Sequence, residues 1–305
     1  MDSFSNAQPV LLSGASGLLG AGIRHALEAR GIPALQLVRG VPHAGQIPWN
    51  PDQLEPVADP ALLEDCRAAV HLSGASLVGR RWTAAYRREM AASRIGSTLA
   101  LARLLGELRR PPAVLAVASA IGIYGDRGDE LLDESSAPGD GYLAQLCSDW
   151  EAAAEPARAA GIRVVHLRFG IVLSRRGGAL AHMLPLFRRG LGGRLGSGRQ
   201  WMSWISSADA VQAALFALET PALHGPVNLT APAPVRNAEF TRLLAQQLHR
   251  PAILPAPALA LRLVFGQMAD EALLAGARVI PAALESAGFR FAHPTLPQAL
   301  AAELA

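Results

Sequence analysis

The chain has 305 residues, and its 28 basic side chains against 25 acidic ones are all arginine; no lysine occurs anywhere. That excludes Schiff-base chemistry, a lysine-bearing phosphate loop, a kinase-type lysine and a tyrosine–lysine proton relay, because each needs a primary amine whose pKa can be moved. A hydrophobic fraction of 50% supports a sizeable core, and the length suits one large α/β domain with a smaller appendage.

A net charge of +3 and a pI near 9.4 are spread over scattered arginines with acids among them, so no nucleic-acid partner is expected. Cys66 and Cys147 form neither a disulfide framework nor a metal-ligand spacing, and the 8 histidines are dispersed. No metal site and a reducing compartment follow. Met1–Asn6 is polar and lacks a basic segment followed by an apolar one, and the nearest long apolar run, Pro255–Gly266, is interrupted by Arg262. The expectation is a soluble, cytoplasmic protein with no membrane partner, acting on a small molecule.

In chain order, Val10-Leu11-Leu12 predicts a strand ending at Ser13-Gly14, and Leu18, Leu19, Ile23 and Leu27 predict a helix that stops at Gly31. Strands follow over Ala34–Val38 and Ala69–Leu72, then a long helix from Thr83 to Leu108 and a buried strand over Ala113–Ala118. A helix over Ser148–Ala160 and a strand over Arg163–Leu167 continue the alternation. This pattern implies right-handed βαβ crossovers and a parallel sheet covered on both faces.

From Gly177 the spacing changes. A helix over Ala179–Arg189 leads into the glycine-rich Gly190–Gly198, Ser207 is placed as the N-cap of the next helix, Val227–Leu229 reads as a late strand, and Asn237 opens a helix to Leu248. The fold class is therefore α/β, a Rossmann-type doubly wound sheet. Residues 1–176 plus 207–230 form the dinucleotide-binding domain, and 177–206 plus 231–305 form a smaller C-terminal substrate lobe.

Gly14-Ala15-Ser16-Gly17-Leu18-Leu19-Gly20 has the spacing G-x-x-G-x-x-G between a strand and a helix. Gly14 permits the tight turn, Gly17 lets backbone N–H groups approach a pyrophosphate, and Gly20 allows close helix–strand packing. The second strand ends in Arg39, where NAD enzymes usually place an acid for the ribose 2′-hydroxyl; a guanidinium favours a 2′-phosphate, with Ser16 adding a hydroxyl. NADP(H) is expected over NAD(H), the plainer alternative being that Arg39 is a solvated loop charge.

His71-Leu72-Ser73-Gly74-Ala75, Arg81-Trp82, Ser93-Arg94, Ser119 ahead of Tyr124-Gly125, Trp150-Glu151, Gly190–Gly193 followed by Gly196–Gln200, Trp204–Asp209 and Val235–Phe240 carry a resemblance over essentially the whole chain. The sequence resembles the atypical extended short-chain dehydrogenase/reductases of the NAD(P)-dependent epimerase/dehydratase family, in the YfcH-like and SDR39U-type branch with a C-terminal domain of unknown function. The resemblance implies adenine-side contacts from Ser16, Gly17, Leu18, Leu19 and Arg39, with Leu72, Ser73 and Gly74 along the ribose and nicotinamide side. It also places Glu89, Arg94 and Val172 near the cofactor, although Glu89 and Arg94 also fit an ordinary helix-surface pair.

The superfamily's usual catalysts are a serine and a Tyr-x-x-x-Lys dyad, in which the ammonium lowers the phenol pKa. Registered on Glu151, that dyad falls on Leu143 and Cys147; shifted by one it falls on Tyr142 and Leu146, and the usual serine falls on Ala120, one residue after Ser119. Three readings remain open. One is an NADP-dependent oxidoreductase or epimerase of a small carbonyl or hydroxyl compound, such as a nucleotide-sugar-like one, with Ser119, Tyr124 and Tyr142 as acid/base candidates. The second is the same class with a proton borne by substrate or water. The third is a protein that senses NADP(H) without turnover.

Overall fold

The computed structural model describes residues 8–305, so the expectation for Met1–Asn6 lies outside the described residues. The strands, in chain order, begin with β1 (Val10–Ser13), β2 (Ala34–Val38), β3 (Gln46–Pro48), β4 (Ala68–His71), β5 (Val114–Ala120) and the short β6 (Leu131–Leu132). They continue with β7 (Arg163–Phe169), β8 (Ile171–Leu173), β9 (Trp201–Met202), β10 (Trp204–Ser206), β11 (Gly225–Leu229), β12 (Val235–Arg236) and β13 (Arg278–Val279). Seven of them form one parallel sheet in the order β11-β7-β5-β4-β1-β2-β3. The chain winds outward from β1 to β3 and returns to β4 on the other side of β1, so the crevice at the carboxyl ends of β1 and β4 is the topological switch point.

Burial on both faces explains why the strands are unbroken apolar runs. On β1, Leu12 packs with α1 (Leu18–Ala29) and α7 (Ser207–Glu219) through Ile23, Leu27 and Ala213, whereas Leu11 packs with the opposite layer. That layer is α3 (Ser97–Gly106), α4 (Tyr142–Ala152) and α5 (Glu155–Ala159), contributing Leu101, Leu105, Trp150 and Ala157.

The predicted helix over Thr83–Leu108 is interrupted. It divides into α2 (Ala84–Ala91), a wide π turn over Ala92–Gly96, and α3. The extra residue turns Arg94 inward, where its guanidinium donates to Ala75 O at 2.8 Å and Met90 O at 3.3 Å. The helix predicted over Ser148–Ala160 begins earlier, at Tyr142, and Pro156 sits in the first turn of its separate successor α5. The cap of α7 is Ser206 rather than Ser207: the Ser206 hydroxyl accepts from Asp209 N, while Ser207 turns to Glu303.

Beyond the sheet, β8 pairs with β10 and β9 with β12. These short strands, α6 (Gly178–Arg188), α8 (Asn237–Gln247) and a last helix over Leu296–Leu304 enclose a separate core around Leu184, Phe187, Trp204, Phe240 and Leu300. Leu284, in the short helix Ala282–Ser286, packs instead into the sheet core beside α7. Among the described residues no helix is long and apolar enough to cross a membrane, and no group of His, Cys, Asp or Glu is placed to hold a metal ion.

A buried polar chain ties the switch-point strands to α3. Ser73 donates to Ser13 at 3.2 Å, Ser13 and His71 Nδ1 lie 2.6 Å apart, His71 Nε2 and Ser97 lie 3.0 Å apart, and Ser97 donates to Ser93 O at 2.6 Å. Because the Ser97 proton is committed, His71 must carry its proton on Nε2 and accept on Nδ1. The ring is fully buried and meets Trp49 edge-on, and burial pushes its pKa down to about 3.

The folded pKa thus lies below the unfolded value of 6.5. As pH falls from there toward 3, the unfolded chain takes up a proton that the folded chain refuses, and stability is lost by roughly 1.4 kcal/mol per pH unit. Between about pH 6.5 and pH 4.5, the unfolding free energy in urea should therefore fall by roughly 2 kcal/mol more for the wild type than for His71→Gln. Equal slopes would refute this account.

Candidate functional site

A cleft of about 690 Å³ opens at the carboxyl ends of β1, β4, β5 and β7 and is closed on its far side by the C-terminal lobe. Gly14, Gly17, Leu18, Leu19, Gly20, Leu72, Arg94, Ser119 and Val172 line it together. These residues come from stretches far apart in the chain, and the fold brings them to one surface.

The glycine turn is packed too closely for side chains. A Cβ on Gly20 would sit 2.1 Å from Gly14 O, and one on Gly14 would meet Leu72 O at 2.9 Å with the backbone at φ +71°. Gly17 has no side chain to cap α1, and no acid stands in the helix's first turn. The positive end of α1 therefore faces the cleft without a competing anion from its own turn, which is what a pyrophosphate requires.

The remaining cofactor-side candidates separate. Ser16 is exposed beside the cradle, Ser73 belongs to the buried serine–histidine chain, and Gly74 lies behind Arg94, where a Cβ would be 3.2 Å from the guanidinium carbon. Arg39 is exposed and borders a second cavity of about 570 Å³ with Val38, Trp49, Asn50 and Gln53. Glu89 does not line the cleft; it is exposed and faces Arg80 at 3.9 Å, the surface-pair alternative with a different partner. Arg94, by contrast, is buried, with its guanidinium 5.2 Å from the Trp150 ring.

The acid/base candidates separate as well. Ser119, near the end of β5, donates a 2.6 Å hydrogen bond to Glu151 Oε1 on α4. Arg168 on β7 grips the same carboxylate through Nε at 2.8 Å and Nη2 at 2.9 Å. Its third nitrogen, Nη1, donates to the Tyr124 hydroxyl, which donates to Asn228 Oδ1 at 2.8 Å. Tyr124 is fully buried and outside the cleft, its oxygen is enclosed by these partners, and burial pushes the phenol above its ordinary pKa despite Arg168. The geometry does not let it reach a substrate. Tyr142 opens α4 but turns away from the cleft, donating to Arg87 O at 3.1 Å and packing its ring on Trp82. Ser119 alone of the three touches the cleft.

Burial works to raise the Glu151 pKa, and the bonds and charge of Arg168, helped by His166 and Ser119, outweigh it, so the carboxyl is held below its usual range. Cys147, at the lysine position of the expected dyad, lines the cleft, but burial pushes its thiol up to about 12. It is an inert wall residue. Trp150 and Trp201 line the cleft, whereas Trp82 and Trp204 are core residues outside it, and Gln200 fixes its loop by donating to Leu195 O and Leu273 O.

Residues that sequence reasoning passed over complete the wall. Asp126, Asp140, Asp270 and Glu271 stand at the outer half of the cleft. Glu271 accepts from the backbone N–H groups of Tyr142 at 3.0 Å and Leu143 at 3.2 Å and so caps α4. That cap comes from 129 positions away, and no local motif announces it.

Comparison with known proteins agrees with this geometry. The NAD dependent epimerase/dehydratase family model matches residues 10–229, and a domain of unknown function, DUF1731, matches residues 256–303. The epimerase family protein Mb2239 of Mycobacterium bovis is 48% identical over 292 residues, covering 95% of this chain and 96% of that protein. The crystal structure of human epimerase family protein SDR39U1 with NADPH superposes with a TM-score of 0.89 at 34% identity, over 97% of this chain and 98% of that one. A nucleoside-diphosphate sugar epimerase from Corynebacterium glutamicum superposes with a TM-score of 0.79 at 35% identity, over 98% of this chain and 58% of that one. With the glycine cradle at the switch point and a matching C-terminal region, this chain belongs to the NAD dependent epimerase/dehydratase family.

Proposed function

We propose that this protein is an NADP(H)-dependent oxidoreductase or epimerase of a small carbonyl or hydroxyl compound. The observation that carries the proposal is the convergence, in one cleft, of an uncapped α1 N-terminus behind a glycine cradle and a serine hydroxyl held by a buried carboxylate. Gly14, Gly17, Leu18, Leu19 and Gly20 would hold the pyrophosphate through backbone N–H groups, and Val172 would border the nicotinamide. The NADPH in the human relative and the exposed Arg39, where an acid would favour NAD(H), support NADP(H). When bound, the cofactor supplies or accepts the hydride.

The chain's own contribution centres on Ser119. Its proton points to Glu151, so the lone pairs of Oγ are left for a substrate hydroxyl, and a proton leaving that hydroxyl would pass through Ser119 Oγ toward the carboxylate. Arg168 keeps the carboxylate ionised and oriented. A small molecule is the partner this reading requires, with neither nucleic acid nor a membrane taking part. Because Tyr124 is enclosed and Tyr142 is turned away, a second reading stands beside it: a protein that binds NADP(H) as a sensor without turnover.

Fluorescence titration should give tight NADPH binding. Arg39→Glu should weaken NADPH by about tenfold or more while leaving NADH nearly unchanged, as expected for loss of a guanidinium–phosphate contact. An unchanged preference would remove Arg39 from the site, and absence of NADPH binding would sink both readings. In assays of NADP+ reduction with a panel of small alcohols, the direction in which Glu151 takes up the proton, Ser119→Ala should lower kcat by about 100-fold or more with the NADPH Kd unaltered. Tyr124→Phe should act chiefly on stability. NADPH binding with no turnover on any compound would favour the sensor.

A further inference from the structure

The two halves of the cleft differ in charge. On the cofactor side, α1 opens toward the cleft at Gly17–Leu18, and Gly177, at the start of α6, lies against the Leu18 side chain, with a Cβ there 3.8 Å from Leu18 Cδ2. On the outer side the lining is apolar, as at Ile121, Leu143 and Trp201, and is edged by Asp126, Asp140, Asp270 and Glu271.

Among the described lining residues Arg94 is the only cation, and its guanidinium is engaged by Ala75 O, Met90 O and the Trp150 face. The N-terminus of α4, which points to this outer half, is filled by the Glu271 carboxylate. Asp270 is paired with Arg262 at 2.8 Å, whereas Asp126 and Asp140 make no ion pair among the described residues. Arg236 and Arg278 lie near the mouth but outside the lining, their guanidiniums stacked on Trp201 at 4.2 and 4.8 Å, with Arg236 also bound to Asp129. A diphosphate entering the outer half would meet carboxylates and a filled helix end; Arg278, whose buried Nε has no hydrogen-bond partner, is held against the Trp201 ring outside the lining.

We infer that the outer half admits a small, mainly apolar carbonyl or hydroxyl compound without phosphate or carboxylate, and rejects sugar nucleotides. This rests on the proposed NADP(H) function and narrows its substrate class. The selectivity comes from repulsion as much as from fit: Asp126 and Asp140 raise the energy of an anionic competitor while leaving a neutral one unaffected.

The test uses the NADPH-loaded full chain, with NADPH binding measured first and independently. Saturation-transfer NMR then compares 4-methylbenzaldehyde, 4-carboxybenzaldehyde and UDP-glucose. The neutral aldehyde should bind at least about tenfold more tightly than the carboxylated one, and UDP-glucose should not bind. In the double variant Asp126→Asn/Asp140→Asn, both sites being exposed, the gap between the two aldehydes should shrink to about threefold. Binding of UDP-glucose, equal affinity for the two aldehydes, binding of none of the probes, or an unaltered gap in the double variant would each overturn the inference. Failure to bind NADPH would instead overturn the function on which it rests.

Discussion

The buried pair between Arg168 and Glu151 is the constraint around which the site is arranged. Its side chains are 8% and 12% exposed, so both charges have given up most of their hydration. Such a pair contributes little net stability, yet loss of either member strands the other charge in the interior. What it contributes is direction. Through Ser119 the carboxylate reaches β5, through Arg168 it reaches β7, and through Tyr124 and Asn228 the chain of hydrogen bonds reaches β11. Three neighbouring strands and α4 are thereby held in one register at the floor of the cleft.

The absence of lysine acquires a structural meaning at this point. A guanidinium retains its proton across the whole accessible pH range, so Arg168 fixes charge and orientation and is not itself a proton carrier. With Leu143 and Cys147 where the dyad would fall, nothing on α4 lowers a phenol pKa, and Tyr124 is pushed the other way by burial. Of the three acid/base candidates, the one left at the cleft surface is a serine whose hydrogen is already directed inward to Glu151. Loss of the amine therefore leaves the cofactor cradle untouched, because that cradle is made of backbone.

This difference also decides what was legible in the sequence. The glycine turn, α1 and the strands of the sheet centre are encoded within short windows, by Gly14, Gly17 and Gly20 and by unbroken apolar runs, and they fold where expected. The edges of α4 and the break at Ala92–Gly96 are not local. One depends on a carboxylate supplied by the C-terminal lobe, the other on a carbonyl of Ala75 that draws Arg94 inward. Tyr124-Gly125 resembles a catalytic tyrosine in sequence, and only the packing around Arg168 and Asn228 reveals an enclosed hydroxyl. Glu89 and Arg94, five positions apart, already face about 140° away from each other on a regular helix, and on either side of the π turn's start the first is exposed and the second buried.

The same contrast between backbone and side chain explains how one cleft can suit an anionic cofactor at one end and disfavour anions at the other. Backbone N–H groups at the start of α1 attract a pyrophosphate only within the first turn, because a helix-end field decays over that distance. The carboxylates at the outer rim act on whatever lies beyond it, and there the fold has used its other helix end to hold Glu271. That carboxylate compensates α4 and anchors the lobe in a single contact, since it sits on the segment Ala269–Leu274 that forms the far wall. Removing the carboxylate would therefore also release the far wall of the cleft.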